Sequence, residues 1–254
     1  MSVIDNLNKS REPSSYSNEL FNEQWQLYQK ILLNSYMKHQ EIYGILHQWL
    51  VNNFQKPFSM LELGCGDASF TAQALSNTTI ASYQGIDLSE AALLIAQSNM
   101  EPLPCRATFT QGELSEYVVE LVQKQQENFD LILSSFALHH LSFEQKDFVM
   151  GKLLHLLKNG GIFLLIDVFR SENEKREDYL KRYLEDVHKN WSQLTHQEYS
   201  LVEEHIRKSD FPETQSIFYS LATKHGFTRK ECLYHDTLDT TQMLCFYAPT
   251  CEMR

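Results

Sequence analysis

Basic residues are scarce. Lys and Arg number 22 against 33 Asp and Glu, a formal net charge of −11 over 254 residues. A field of that sign repels nucleic-acid phosphate, and no basic cluster offsets it, so a DNA or RNA acceptor is not expected. Cysteine is scarce as well. Cys65, Cys105, Cys232, Cys245 and Cys251 are odd in number, widely spaced and never in a C-x-x-C pair. That argues against a disulfide framework and a cysteine zinc site. Long apolar runs are missing too. No stretch approaches the ~18 residues of a membrane span, and the polar start, Met1 to Asn18, has no apolar signal-peptide core. A cytoplasmic protein with no membrane partner is expected. Internal repeats and low-complexity tracts are also lacking.

What is present centres on Met60-Leu61-Glu62-Leu63-Gly64-Cys65-Gly66-Asp67-Ala68. An apolar run ends in an acid, two glycines follow two apart, and a helix start comes next. A dinucleotide-binding turn would place pyrophosphate on the bare helix N-terminus and would carry a third glycine. Here Ser69 stands at that third position, and Asp67 puts a negative charge at the helix opening, where it repels phosphate and competes for the free N–H groups. A phosphate-free ligand with positive groups fits Glu62 and Asp67 better. Gly64 and Gly66 let the backbone approach it closely.

A second acid ends the short strand-like run Tyr83-Gln84-Gly85-Ile86-Asp87, 23 positions after Gly64. A carboxylate at a strand tip can accept hydrogen bonds from both hydroxyls of a ribose.

In order, Glu62-Leu63-Gly64-Cys65-Gly66, Gly85-Ile86-Asp87-Leu88-Ser89, Phe129-Asp130-Leu131-Ile132-Leu133-Ser134-Ser135-Phe136-Ala137-Leu138-His139-His140-Leu141 and Leu156-Leu157-Lys158-Asn159-Gly160-Gly161 resemble the motifs of the class I S-adenosylmethionine-dependent methyltransferases of small-molecule type. The likeness covers about residues 58 to 169 and a C-terminal hairpin. Ala68 departs from the family's third glycine. The resemblance implies an α/β fold: a Rossmann-like doubly wound sheet of seven strands, six parallel and one antiparallel in a C-terminal hairpin. N-terminal helices and a helical insert after strand five complete it. S-adenosylmethionine is the implied cofactor. Glu62, Gly64, Cys65 and Gly66 would hold its methionine part and Asp87 its ribose. Leu88 and Leu114 would flank the adenine, Gly112-Glu113 would meet its edge, and Ser134 and Ser135 would lie beside the methionine end.

The chain divides into a flexible arm (1–18), a helical cap (19–53) and a methyltransferase domain (54–254), with an amphipathic helical insert or lid at 171–211. In the cap, apolar residues recur at threes and fours from Leu20 to Trp49, with Gly44 as a break. Asp67 to Ser76 and Ser89 to Asn99 read as helices after the first two strands. Phe143 to Lys158 reads as a helix stopped by Asn159-Gly160-Gly161. Ser209 to Thr214 restarts a helix with Pro212 near its first turn, and Gly226 ends it.

Methyl transfer from a sulfonium needs orientation and dryness, and a base only for some acceptors. His139 and His140, just past strand four, are the catalytic candidates. Arg170, Tyr16 and Tyr36 are candidate acceptor contacts. The other histidines, His188, His196, His205 and His235, are too irregularly spaced for metal ligands, so no metal is expected. Two rivals stand beside methyl transfer to the oxygen or nitrogen of a small molecule: an inactive binding protein on the same fold, and a nicotinamide oxidoreductase. The oligomeric state is left open.

Overall fold

From residue 58 onward, apolar strand-like runs alternate with helical stretches, and that alternation forms. The structure, a computed structural model, describes residues 27–124, 128–238 and 240–250. Strands β1 (Phe58–Leu63), β2 (Ile80–Asp87), β3 (Arg106–Gln111), β4 (Phe129–Ser135), β5 (Leu157–Val168), β6 (Arg229–His235) and β7 (Thr241–Tyr247) make one sheet in the order 3-2-1-4-5-7-6. All ladders are parallel except those of β7 with β5 and β6. This is the expected Rossmann-like α/β sheet. Its strand order reverses between β1 and β4, where ligand crevices form in open α/β sheets.

Side-chain alternation assigns each strand residue to a face. Leu61, Leu63, Ile132, Phe163 and Leu165 join one core with helices α5 (Leu114–Gln123), α6 (Phe143–Leu156) and α9 (Gln215–His225). Met60, Leu131, Leu133, Leu164 and Ile166 join the other with α2 (His39–Asn53), α3 (Ser69–Leu75) and α4 (Glu90–Met100). Each such buried apolar side chain contributes roughly 1.5–3 kcal/mol. A third core unites the described part of α1 (27–33) with the insert helices α7 (Arg176–Asn190) and α8 (His196–Ser209), through Leu27, Tyr183, Val187, Trp191 and Ile206.

Local signals set most helix starts. Ser89 caps α4 through Ala92 N, and capping boxes open α6 (Ser142 with Gln145) and α8 (Thr195 with Glu198). Gly226, at φ 95°, ends α9 as expected.

Four local expectations are corrected. The N-terminal helices break at Ser35 and Lys38, both at positive φ, and α2 runs through Gly44. A Cβ on Gly44 would meet nothing, so that glycine sits harmlessly on an open face. The helix over 67–76 is shorter, Ser69–Leu75, because Ala68 occupies the cap at φ 52°. Asn159-Gly160-Gly161 does not cap α6. That helix ends at Leu156, and Leu157 is already extended and paired with Phe129. The glycines instead shape an irregularity within β5, with Gly160 at φ 71° and its N–H donating to Pro249 O. Pro212 lies outside the first turn of α9, whose cap is Thr214. Ser209 still belongs to α8, residues 210–213 lie outside any helix, and Thr214 bridges to Arg170.

Candidate active site: two joined cavities

β1 delivers Glu62 to the α2 face of the sheet, where the carboxylate is 1% exposed. It accepts hydrogen bonds from Thr71 Oγ1 at 2.8 Å and Tyr83 Oη at 2.6 Å. Burial outweighs those bonds, and the nearby Asp87 and Asp67 charges add to it, so the pKa is pushed up to about 7. The turn that follows depends on Gly64. At φ 74° it holds a conformation that L side chains rarely adopt, and a Cβ there would lie 2.5 Å from Ala137 Cβ. Cys65 is buried against Gly85, where a Cβ would meet its sulfur at 2.8 Å.

Asp87, at the tip of β2, accepts Gly66 N–H at 2.8 Å and Ser89 N–H at 2.9 Å. The carboxylate thereby ties the first glycine turn to the next helix start. Asp67 accepts Ser69 N–H at 3.0 Å. Glu113 caps α5 through Glu116 N–H at 2.9 Å. Glu62, Asp67, Asp87 and Glu113 all line a cavity of about 430 Å³ at the C-terminal edge of β1, β2 and β4, together with Gly112, Leu114 and the exposed Leu88. No Lys or Arg lines it among the described residues.

Ser134 and Ser135 part company. Alternation turns Ser134 to the α5/α6 face, where it is fully buried and its hydroxyl donates to Leu63 O. It does not line the cavity. Ser135 does, and it accepts a hydrogen bond from Tyr43 Oη at 2.8 Å. Phe136 then turns out of the strand at φ 50°, a strained conformation for an aromatic residue.

A second cavity of about 680 Å³ adjoins the first, and the two share Tyr28, Met37, Phe136 and His140. Its walls are Leu27, Ile31, Tyr183, Trp191, Leu201 and Val202. Its polar floor is His139, His140, His205 and Asp210. His139 is buried and bound through Nδ1 to Asp167 Oδ1 at 2.5 Å. Burial alone would lower its pKa; the Asp167 and Asp210 carboxylates outweigh burial and raise it. Burial and the His139 ring, 3.9 Å away between centroids, push His140 down to about 4.

The chain that returns from the insert is fastened to the histidine loop. Phe211 N–H donates to His139 O at 2.7 Å, and His140 Nδ1 meets Ser209 O at 3.1 Å. The buried Lys146 donates to Leu141 O and Phe211 O, and burial lowers its pKa to about 8.

Two acceptor candidates are displaced. The Arg170 guanidinium is spent on Pro212 O, Glu174 O and Glu213 Oε2, at 2.6–2.7 Å, and lines neither cavity. Tyr36 stacks on Trp191 at 4.9 Å, accepts Gln193 N–H, and lines neither cavity. Tyr16 lies outside the described residues. Sequence reasoning missed Tyr28 and Asp210. Tyr28 stood only in a helical periodicity, and Asp210 is brought in by the return of a long insert.

A methyltransferase-domain family model matches residues 60–161. An uncharacterized methyltransferase of Bacillus cytotoxicus is 28% identical over 159 residues, 62% of this chain and 69% of that protein. A demethylmenaquinone methyltransferase of Leptospira interrogans is 27% identical over 142 residues, 55% of this chain and only 55% of that protein. Among solved structures, an O-methyltransferase family protein of Burkholderia thailandensis superposes with TM-score 0.61 at 13% identity, over 94% of this chain and 61% of that one. The N-methyltransferase NodS of Bradyrhizobium japonicum gives 0.54 at 13% identity, over 83% and 96%. Sheet order, glycine turn and acid-lined crevice define a Rossmann-like methyltransferase. Residues 60–161 match a methyltransferase domain, and the relatives and the fold support a class I S-adenosylmethionine-dependent methyltransferase. No helix among the described residues is long and apolar enough to cross a membrane.

Proposed function

We propose that the protein transfers a methyl group from S-adenosylmethionine to the oxygen or nitrogen of a small molecule, with the donor in the first cavity and the acceptor in the second. Charge carries the donor assignment: four carboxylates line the first cavity, and among the described residues no Lys or Arg does. A nicotinamide dinucleotide would bring its phosphates against those acids. A sulfonium with an ammonium group meets complementary charge. The cradle also fits, because Gly64 and Gly66 line it at positive φ, a turn that brings backbone to the cavity wall with no side chain in between.

Glu62 and the backbone of Gly64, Cys65 and Gly66 hold the methionine part. Asp87 keeps lone pairs for the ribose hydroxyls after serving Gly66 and Ser89. Leu88 and Leu114 flank the adenine, Gly112 and Glu113 meet its edge, and Ser135 lies near the methionine end. When bound, the donor supplies an electrophilic methyl whose in-line displacement leaves a neutral thioether.

The protein's own work is orientation and exclusion of water. Tyr28, Met37 and Phe136 wall the opening between the cavities. His140 stands at that opening and orients the acceptor's O–H or N–H. His139 is a positioning residue: Asp167 fixes its ring, and its backbone holds the return chain. Residues 54–254 act as one methyltransferase domain, and 171–211 supplies the acceptor wall.

Calorimetry with S-adenosylhomocysteine tests the donor site. Asp87→Ala weakens binding at least tenfold, about 1.4 kcal/mol. Unchanged affinity removes the ribose assignment.

A further inference from the structure

Asp210 is 4% exposed, and its Oδ1 makes no hydrogen bond among the described residues. A buried carboxylate oxygen without a partner is costly. Three imidazole nitrogens nevertheless surround that atom: His140 Nδ1 at 3.6 Å, His139 Nε2 at 3.7 Å and His205 Nε2 at 4.0 Å. These separations are too long for hydrogen bonds. They are close to the edges of a coordination polyhedron: metal–ligand bonds of about 2.0–2.2 Å give tetrahedral edges of about 3.3–3.6 Å. One ligand atom from each of His139, His140 and Asp210 lies within 4.8 Å of the others.

The surroundings match those of a metal site. A ligating histidine ordinarily donates its second nitrogen to a carboxylate or a carbonyl, which fixes the ring and raises its basicity. His139 is tied through Nδ1 to Asp167, whose Oδ2 also accepts the His139 backbone N–H at 3.0 Å and whose Oδ1 accepts Val168 N–H at 2.9 Å. His140 differs: the nitrogen that faces Asp210, Nδ1, is also the one that meets Ser209 O, so to ligate it must leave that carbonyl. Lys146 and the Phe211–His139 backbone bond hold the two contributing loops together. Of the four histidines set aside by spacing, only His205 comes near, because the return from α8 carries it and Asp210 to the loop after β4.

We infer that His139, His140 and Asp210, with His205 at the rim, bind one divalent first-row transition ion on the floor of the second cavity. Two imidazoles and one carboxylate suit a borderline ion such as Zn²⁺, Fe²⁺ or Co²⁺ better than Mg²⁺ or Ca²⁺. His140 lines both cavities, so the ion stands where the acceptor meets the donor. There it would take an acceptor carrying a hydroxyl or carboxylate oxygen and lower the pKa of that oxygen. This role rests on the methyl-transfer reading; ion binding itself does not.

The test is titration of the untagged, chelator-stripped full chain with Co²⁺, followed by absorption, and with Zn²⁺, followed by calorimetry. S-adenosylhomocysteine is titrated into the same samples. One equivalent per chain is expected, with visible Co²⁺ bands. Asp210→Asn and His140→Ala each weaken affinity at least tenfold, and Asp167→Asn, outside the ligand set, weakens it about tenfold. His140 is the most open of the three ligands, so His140→Ala carries the test if a buried one fails to fold. The inference is overturned by the absence of saturable one-to-one binding, or by equal affinity in wild type and His140→Ala. Loss of S-adenosylhomocysteine binding in wild type strikes the donor site instead and leaves the ion site standing or falling by its own titration.

Discussion

The two cavities are built by opposite means. Most of the first is made of near-consecutive residues at strand tips: Glu62 and Gly64 to Thr71, Ile86 to Ser89, Gly112 to Leu114, and Ser135 to Ala137, with the N-terminal helices adding Tyr28, Met37 and Tyr43. Each tip group sits beside its neighbours in the chain, and the sheet has to align four tips. The second draws Leu27 and Tyr28 from α1, His139 and His140 from the loop after β4, Trp191 from the end of α7, and Asp210 from the return of the insert. It exists only once four distant segments have packed. Local chain geometry makes a cofactor-shaped crevice cheaply, whereas the acceptor chamber needs tertiary contacts and can be reshaped without touching the sheet.

The largest expected effect lies in the glycine turn of the first cavity. Gly64→Ala forces a Cβ against Ala137 in a left-handed conformation. It costs about 1–3 kcal/mol of stability and weakens S-adenosylhomocysteine at least 100-fold, about 2.7 kcal/mol, as read by denaturant melts and calorimetry. Near-native binding in this variant would sever the link between the turn and the donor.

Next is the pH dependence of Glu62. Its folded pKa, about 7, lies above its ordinary 4.5. The folded state therefore holds the proton more tightly than the unfolded state. Stability falls as pH rises from about 4.5 to about 7 and is level above that, an amount of order 3 kcal/mol. Glu62→Gln removes that slope, so the difference between the wild-type and variant stability curves isolates it from the histidines. Parallel curves would mean that folding leaves the Glu62 pKa unshifted.

The smallest effect sharpens the contrast between neighbouring serines. Ser134→Ala loses one buried hydrogen bond, about 1 kcal/mol, and leaves affinity for S-adenosylhomocysteine within about twofold. Ser135→Ala alters that affinity. The reverse order would misplace the strand's two faces.

Legibility followed the same division. Strand tips, Asp87, Glu113 and the C-terminal hairpin could be read because their signals are local: an apolar run, an acid, a turn. Ser134 was misjudged because adjacent strand residues face opposite sides, and motif order carries no face. Arg170 and Tyr36 were misjudged because their partners, Glu213 and Trp191, lie 43 and 155 positions away. Gly160 and Gly161 read as a helix stop because glycine marks any unusual backbone, and the choice of a bulge was made by the pairing of Leu157 with Phe129.

The central claim is that an acid-edged, glycine-opened crevice selects a cationic nucleoside without phosphate. Equilibrium titration of the full chain with S-adenosylmethionine and, in parallel, with NADH tests it most directly. Saturable binding of S-adenosylmethionine is predicted, with NADH at least tenfold weaker, a gap of about 1.4 kcal/mol or more. NADH binding as tight as the methyl donor, or tighter, would contradict it.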